Sequence, residues 1–117
     1  MCIRDRGNAV DFGDLTVSKW AVYGCSSPTR GLIGGNGNVI SFITIASTGN
    51  ATDFGDLNGT GHSGSAFSSP TRGVFSIGGS NAIDYVTIAT TGNAVDFGDT
   101  TWASVRAAGF SNAHGGL

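Results

Sequence analysis

One nine-residue stretch is written three times in this chain, and that repetition constrains the fold more than anything else in it. Gly7-Asn8-Ala9-Val10-Asp11-Phe12-Gly13-Asp14-Leu15 returns at 49–57 with one change and at 92–100 with another, at offsets of 42 and 43 residues. Ser26-Ser27-Pro28-Thr29-Arg30-Gly31 returns unchanged at 68–73, and Asn38-Val39-Ile40-Ser41-Phe42-Ile43-Thr44-Ile45-Ala46 returns as Asn81-Ala82-Ile83-Asp84-Tyr85-Val86-Thr87-Ile88-Ala89. A fixed period of about 20 to 50 residues marks a stacked array, solenoid or propeller, in which each unit buries its apolar faces against its neighbours.

The unit reads as β-structure. The chain holds 20 glycines, many Ser, Thr, Asn and Ala, a single lysine and no glutamate. Helices draw on Glu and Lys, whereas turn formers and β-branched or aromatic residues make up almost all of this chain. Alternation and turn punctuation divide one period into four short strands. They are Ala21–Cys25, Arg30–Ile33, Val39–Ala46 and Ala51–Phe54, with turns at 26–29, 34–38 and 47–50 and a closing Gly55-Asp56-Leu57. Four strands in about 42 residues is the size of a propeller blade. A β-solenoid of two 21-residue coils per period is the competing geometry, and the absence of half-period similarity argues against it.

The residues so placed resemble the kelch repeat. Gly34-Gly35 and Gly78-Gly79 match its double glycine, Phe42 and Tyr85 its first aromatic. Phe12, Phe54 and Phe97 stand where that family usually has Trp, which makes this a divergent, kelch-like blade. The resemblance covers residues 7–117 and implies an all-β fold of four-stranded antiparallel blades. The wording of the repeats is also similar to that in large structural proteins of marine tailed phages and related metagenomic sequences. That likeness implies a virion-associated or extracellular setting, with virion proteins or surface glycans as partners.

Residues 1–6 stand apart. Met-Cys-Ile-Arg-Asp-Arg resembles the translation of a sequencing adapter, and the first repeat copy is preceded by Arg6 where the others follow Thr48 and Thr91. Such a leader is excluded from fold reasoning. Residues 7–117 hold only about 2.6 periods, and propellers close with about four to eight blades. The expectation is therefore a partial propeller comprising the C-terminal blades, whose partners are the other blades of a longer parent.

Charge and hydropathy exclude some functions. A formal charge of −2 is spread thinly, without a basic stripe interleaved with aromatics, so nucleic-acid binding by phosphate neutralisation is not expected. No apolar run approaches the roughly 18 to 20 residues of a helical membrane span, so no membrane partner is expected either.

Candidate chemistry is sparse. The Asp-Phe-Gly-Asp segments resemble a kinase metal-binding tripeptide only superficially, since the catalytic loop and strand lysine of that machinery are missing. Three pairs, Asp11/Asp14, Asp53/Asp56 and Asp96/Asp99, set two carboxylates three residues apart in a glycine turn, a partial match to a calcium site. The more economical reading is that Asp caps the turn while Phe packs between blades. Arg30 and Arg72 share a repeat position, where five guanidinium donors suit a carboxylate or sulfated glycan; the other reading is that an Arg beside a tight turn satisfies loop carbonyls or pairs with an Asp of the next blade. Trp20 and Trp102, at the start of the small-residue strand, offer a sugar-stacking surface or a packed blade edge.

Cys25 shares its repeat position with Phe67 and Phe110 and reads as a buried apolar site. The Ser pairs at 26–27 and 68–69 lack a positioned base, and His62 and His114 lie outside every repeated motif. The expectation is a non-enzymatic structural or binding module without cofactor, presenting loops for protein or glycan contact. The alternative is a carbohydrate oxidase-like enzyme on a kelch propeller, whose Tyr, Cys and His ligands would lie in further blades; Tyr23, Tyr85 and the two histidines occupy non-equivalent positions.

Overall fold

The computed structural model describes residues 8–35, 37–61 and 63–104. Eight strands form two four-stranded antiparallel meanders, and among the described residues there is no helix. The first sheet runs β1 (Tyr23–Ser26), β2 (Arg30–Gly34), β3 (Gly37–Thr44) and β4 (Thr52–Gly61), in that spatial order. The second repeats it with β5 (Ser65–Ser68), β6 (Arg72–Ser76), β7 (Ser80–Thr87) and β8 (Val95–Ser104). Corresponding registers coincide: Leu32 faces Phe42 as Val74 faces Tyr85, and Ile40 faces Gly55 as Ile83 faces Gly98.

The Ser-Ser-Pro-Thr turns explain why β1 and β5 stop where they do. Ser27 Oγ accepts from the Arg30 N–H at 3.1 Å and Ser69 Oγ from the Arg72 N–H at 3.1 Å, which satisfies backbone donors that the turn leaves free. Each sheet presents an apolar face to the other. Tyr23, Leu32, Ile40, Phe54 and Leu57 from the first join Phe75 and Val86 from the second, with Ile77, Ile88 and Ala94 from the loops beside its strands, in one buried cluster. The Tyr23 and Phe75 rings lie 6.2 Å apart at 59° within it. Full burial of an aliphatic or aromatic side chain contributes about 1.5 to 3 kcal/mol, so this shared cluster, rather than either sheet alone, is the core.

Three expectations need correction. The third strand starts at Gly37 and ends at Thr44, and the first starts at Tyr23. The fourth is longer than expected, and Gly55-Asp56-Leu57 lies inside it instead of closing it. Between Ile40↔Gly55 and Ser41↔Asp53 the register slips by one residue, which leaves Phe54 as the extra residue of a bulge. The Asp-Phe-Gly-Asp motif is therefore a bulged strand, not a turn. Its first copy, Asp11–Asp14, forms no strand, because the described chain contains no third strand of an earlier repeat for it to pair with.

Candidate functional site

The repeated motif acts between repeats. In β4 the Phe54 carbonyl accepts from the Gly92 N–H at 2.9 Å and the Asp56 carbonyl from the Ala94 N–H at 2.8 Å, while the Asp56 N–H donates to Asn93 Oδ1 at 3.0 Å. One repeat earlier the same three bonds recur: Gly49 N–H to the Phe12 carbonyl and Ala51 N–H to the Asp14 carbonyl, each 2.8 Å, and Asp14 N–H to Asn50 Oδ1 at 2.9 Å. The Gly-Asn-Ala of each copy thus clasps the Phe-Gly-Asp of the copy before it. The glycine between is required on two counts. Gly13 and Gly55 hold φ of 151° and 152°, which side chains of L-residues rarely adopt, and a Cβ there would overlap the carbonyl oxygens of Gly49 and Gly92.

A second inter-repeat contact has changed chemistry without changing place. Thr16 Oγ1 and Ser41 Oγ lie 2.8 Å apart, and one period later Asn58 donates to Asp84 from its backbone at 2.8 Å and from Nδ2 at 3.2 Å. Both Ser41 and Asp84 are buried. β1 and β5 meet through equivalent residues: Ser68 Oγ donates to the Ser26 carbonyl at 2.7 Å.

The candidate binding residues separate into those used by the fold and those facing outward. Arg30 lies 4.5 Å over the Phe42 ring, which meets Phe54 edge to face at 5.9 Å, and its Nη1 donates to the Ile88 carbonyl at 3.1 Å. Arg30 thus satisfies a loop carbonyl, one that belongs to the next repeat, and not an Asp. Arg72 repeats the stack on Tyr85 at 4.4 Å, with Tyr85 against Phe97 at 6.0 Å, but remains exposed. Trp20 and Trp102 are also exposed. Trp20 lies in the bend before β1 and Trp102 in β8, at different positions of the repeat and 82 residues apart, so the structure does not form them into one repeated surface.

Beside each stack runs a groove. One, about 360 Å³, is lined by Tyr85, Thr87, Thr90, Thr91, Asn93 and Val95; its smaller counterpart, about 170 Å³, is lined by Phe42, Thr44, Ser47, Thr48, Asn50 and Thr52. An aromatic flank with hydroxyl and amide groups along the floor suits a sugar ring and its hydroxyls. These grooves were not anticipated from the sequence, although the recurring Thr/Ser-Thr-Gly-Asn turn is the signal that marks them.

Of the six paired aspartates, Asp14 and Asp56 contribute backbone to the clasp, and Asp11, Asp14, Asp53, Asp96 and Asp99 are exposed. Asp53, Asp56, Asp96 and Asp99 lie in bulged strands instead of the expected turn, whereas Asp11 and Asp14 lie in no strand. Among the described residues no three His, Cys, Asp or Glu side chains gather as metal ligands would. His114 and His62 lie outside the described residues. Burial pushes the Cys25 thiol from 9.0 up to about 12, consistent with an apolar position, and the side chain packs against the core. The Tyr23 hydroxyl is raised by burial and then by the charge of Asp84, and is buried without a hydrogen-bond partner among the described residues. Lys19, lowered by burial, donates to the Val39 carbonyl at 2.9 Å.

Comparison with protein-family models, curated proteins and solved structures returned no match.

Proposed function

We propose that the chain is a section of a kelch-like β-propeller, a non-enzymatic structural and binding module whose outer grooves contact glycans, in a virion or extracellular setting. The observation that carries this reading is the use to which the repeated residues are put. Gly-Asn-Ala, Phe-Gly-Asp, the Thr16/Asn58 position and Arg30 are all spent on joining one repeat to the next. What recurs toward solvent is a groove with an aromatic wall and hydroxyl-bearing turns. Four-stranded meanders that meet at their first strands through equivalent serines are the arrangement expected of neighbouring blades around an axis. The partners are further blades of the same kind at the sheet edges, and virion proteins or surface glycans at the grooves.

Screening the chain against a glycan array tests the binding reading. Bound sugars are expected to be recovered unaltered, and binding is expected to fall at least tenfold in Tyr85→Ala. An array without a bound sugar, or binding indifferent to Tyr85→Ala, counts against a groove that reads glycans.

A further inference from the structure

Among the described residues the clasp is closed twice and open once, at β8. Register places Asp99 opposite Ala82 as Asp56 lies opposite Val39, so Phe97, Gly98 and Asp99 present to the outer edge the groups that Phe54, Gly55 and Asp56 give to Gly92–Ala94. Gly98 holds the same backbone, φ 153°, yet a Cβ there would meet nothing within 4 Å among the described residues, whereas one on Gly55 overlaps a carbonyl. Phe54 is 3% exposed and Phe97 56%, and Val95 and Trp102 extend the apolar surface along the same strand. At the other end of the described chain Asn8, the counterpart of Asn50 and Asn93, is exposed and is not engaged in a clasp. An edge strand with unpaired backbone groups and an apolar flank is a template for another chain.

We infer that β8 is a docking edge for a second copy of this chain, joined head to tail, with Asn8 and Ala9 of one copy closing on Phe97-Gly98-Asp99 of the next. The Asn8 side-chain oxygen accepts from the Asp99 N–H, and the Ala9 N–H donates to the Asp99 carbonyl. The contact continues an interface the chain already makes with itself. It is heterologous, so it propagates into a ring or an open row of copies rather than stopping at a two-fold dimer. It needs only the repeat-to-repeat clasp, so its failure leaves the glycan reading standing, and the reverse also holds.

Sedimentation velocity of the full chain over a concentration series tests it. The expected result is mass that grows with concentration, an association constant reduced about tenfold in Asn8→Ala through loss of one side-chain acceptor, and association abolished in Gly98→Ala. Circular dichroism reports whether each variant folds; if Gly98→Ala does not, Asn8→Ala alone decides. A chain that stays monomeric throughout, including one whose own residues cover β8, overturns the proposal. So does association that Asn8→Ala leaves unchanged.

Discussion

At the scale of single residues, the three motif glycines occupy one backbone conformation in two environments, and this separates strain from collision. Gly55 carries both a φ of 152° and the Gly92 carbonyl against its α-carbon, whereas Gly98 carries the φ alone. Gly55→Ala is therefore expected to cost about 3 kcal/mol or more and Gly98→Ala about 1 to 2 kcal/mol, read as the difference between their midpoints in urea denaturation of dilute protein. Equal costs would mean that the close approach of the next repeat is not what selects glycine.

Two buried acids make the stability pH-dependent on the alkaline side. The folded-state values of Tyr23 and Cys25 are both raised, so both favour the protonated, folded form. Their contribution is whole below the unfolded values, about 9.0 for the thiol and 10.0 for the phenol, and is lost as pH rises through the folded ones. Stability measured by denaturant titration is expected to decline from pH 9 upward, and Cys25→Ala to flatten the lower part of that decline. A slope unchanged in Cys25→Ala would place the thiol in water.

Among the elements, the strand number and order were legible and the nature of the motif was not. Alternation and the Ser-Ser-Pro-Thr and Gly-Gly punctuation located β1 and β2 to within two residues, because those strands end in local turns whose chemistry is contained in adjacent residues. Asp-Phe-Gly-Asp carries the same residues that a turn uses, and what makes it a bulged strand is pairing with the third strand of its own repeat, 12 to 17 residues earlier. Because Gly-Asn-Ala and Phe-Gly-Asp are adjacent in each copy, the sequence presents as one unit two halves that bind different neighbours. The grooves were hidden for a similar reason: their walls combine a strand and the turn after it.

The paired positions 16/41 and 58/84 allow a test of repeat equivalence at this scale. Asp84→Ser alone removes two acceptors from Asn58 and is expected to cost about 2 kcal/mol. Adding Asn58→Thr recreates the Thr16/Ser41 pair, and the double variant is expected to be more stable than the sum of the single changes predicts. Additive costs in a double-mutant cycle would show that the two sites are not interchangeable.

For the whole molecule, the repeats are held as neighbours by the backbone and asparagine bonds of the clasp and by the shared core. The clasp also covers the outer edge of β4, which would otherwise be an exposed edge strand. With the core cluster drawn from both sheets, the two repeats are expected to open together, not as independent domains.

Amide hydrogen exchange on dilute full-length chain, followed residue by residue by NMR, tests that claim most directly. The amides of Asp14, Gly49 and Ala51, and of Asp56, Gly92 and Ala94, are expected to exchange as slowly as those in the centres of β3 and β7, with the Asp99 amide much faster. Clasp amides that exchange at the rate of open loops, while β3 and β7 remain protected, would contradict an account in which Gly-Asn-Ala and Phe-Gly-Asp bind each repeat to the next.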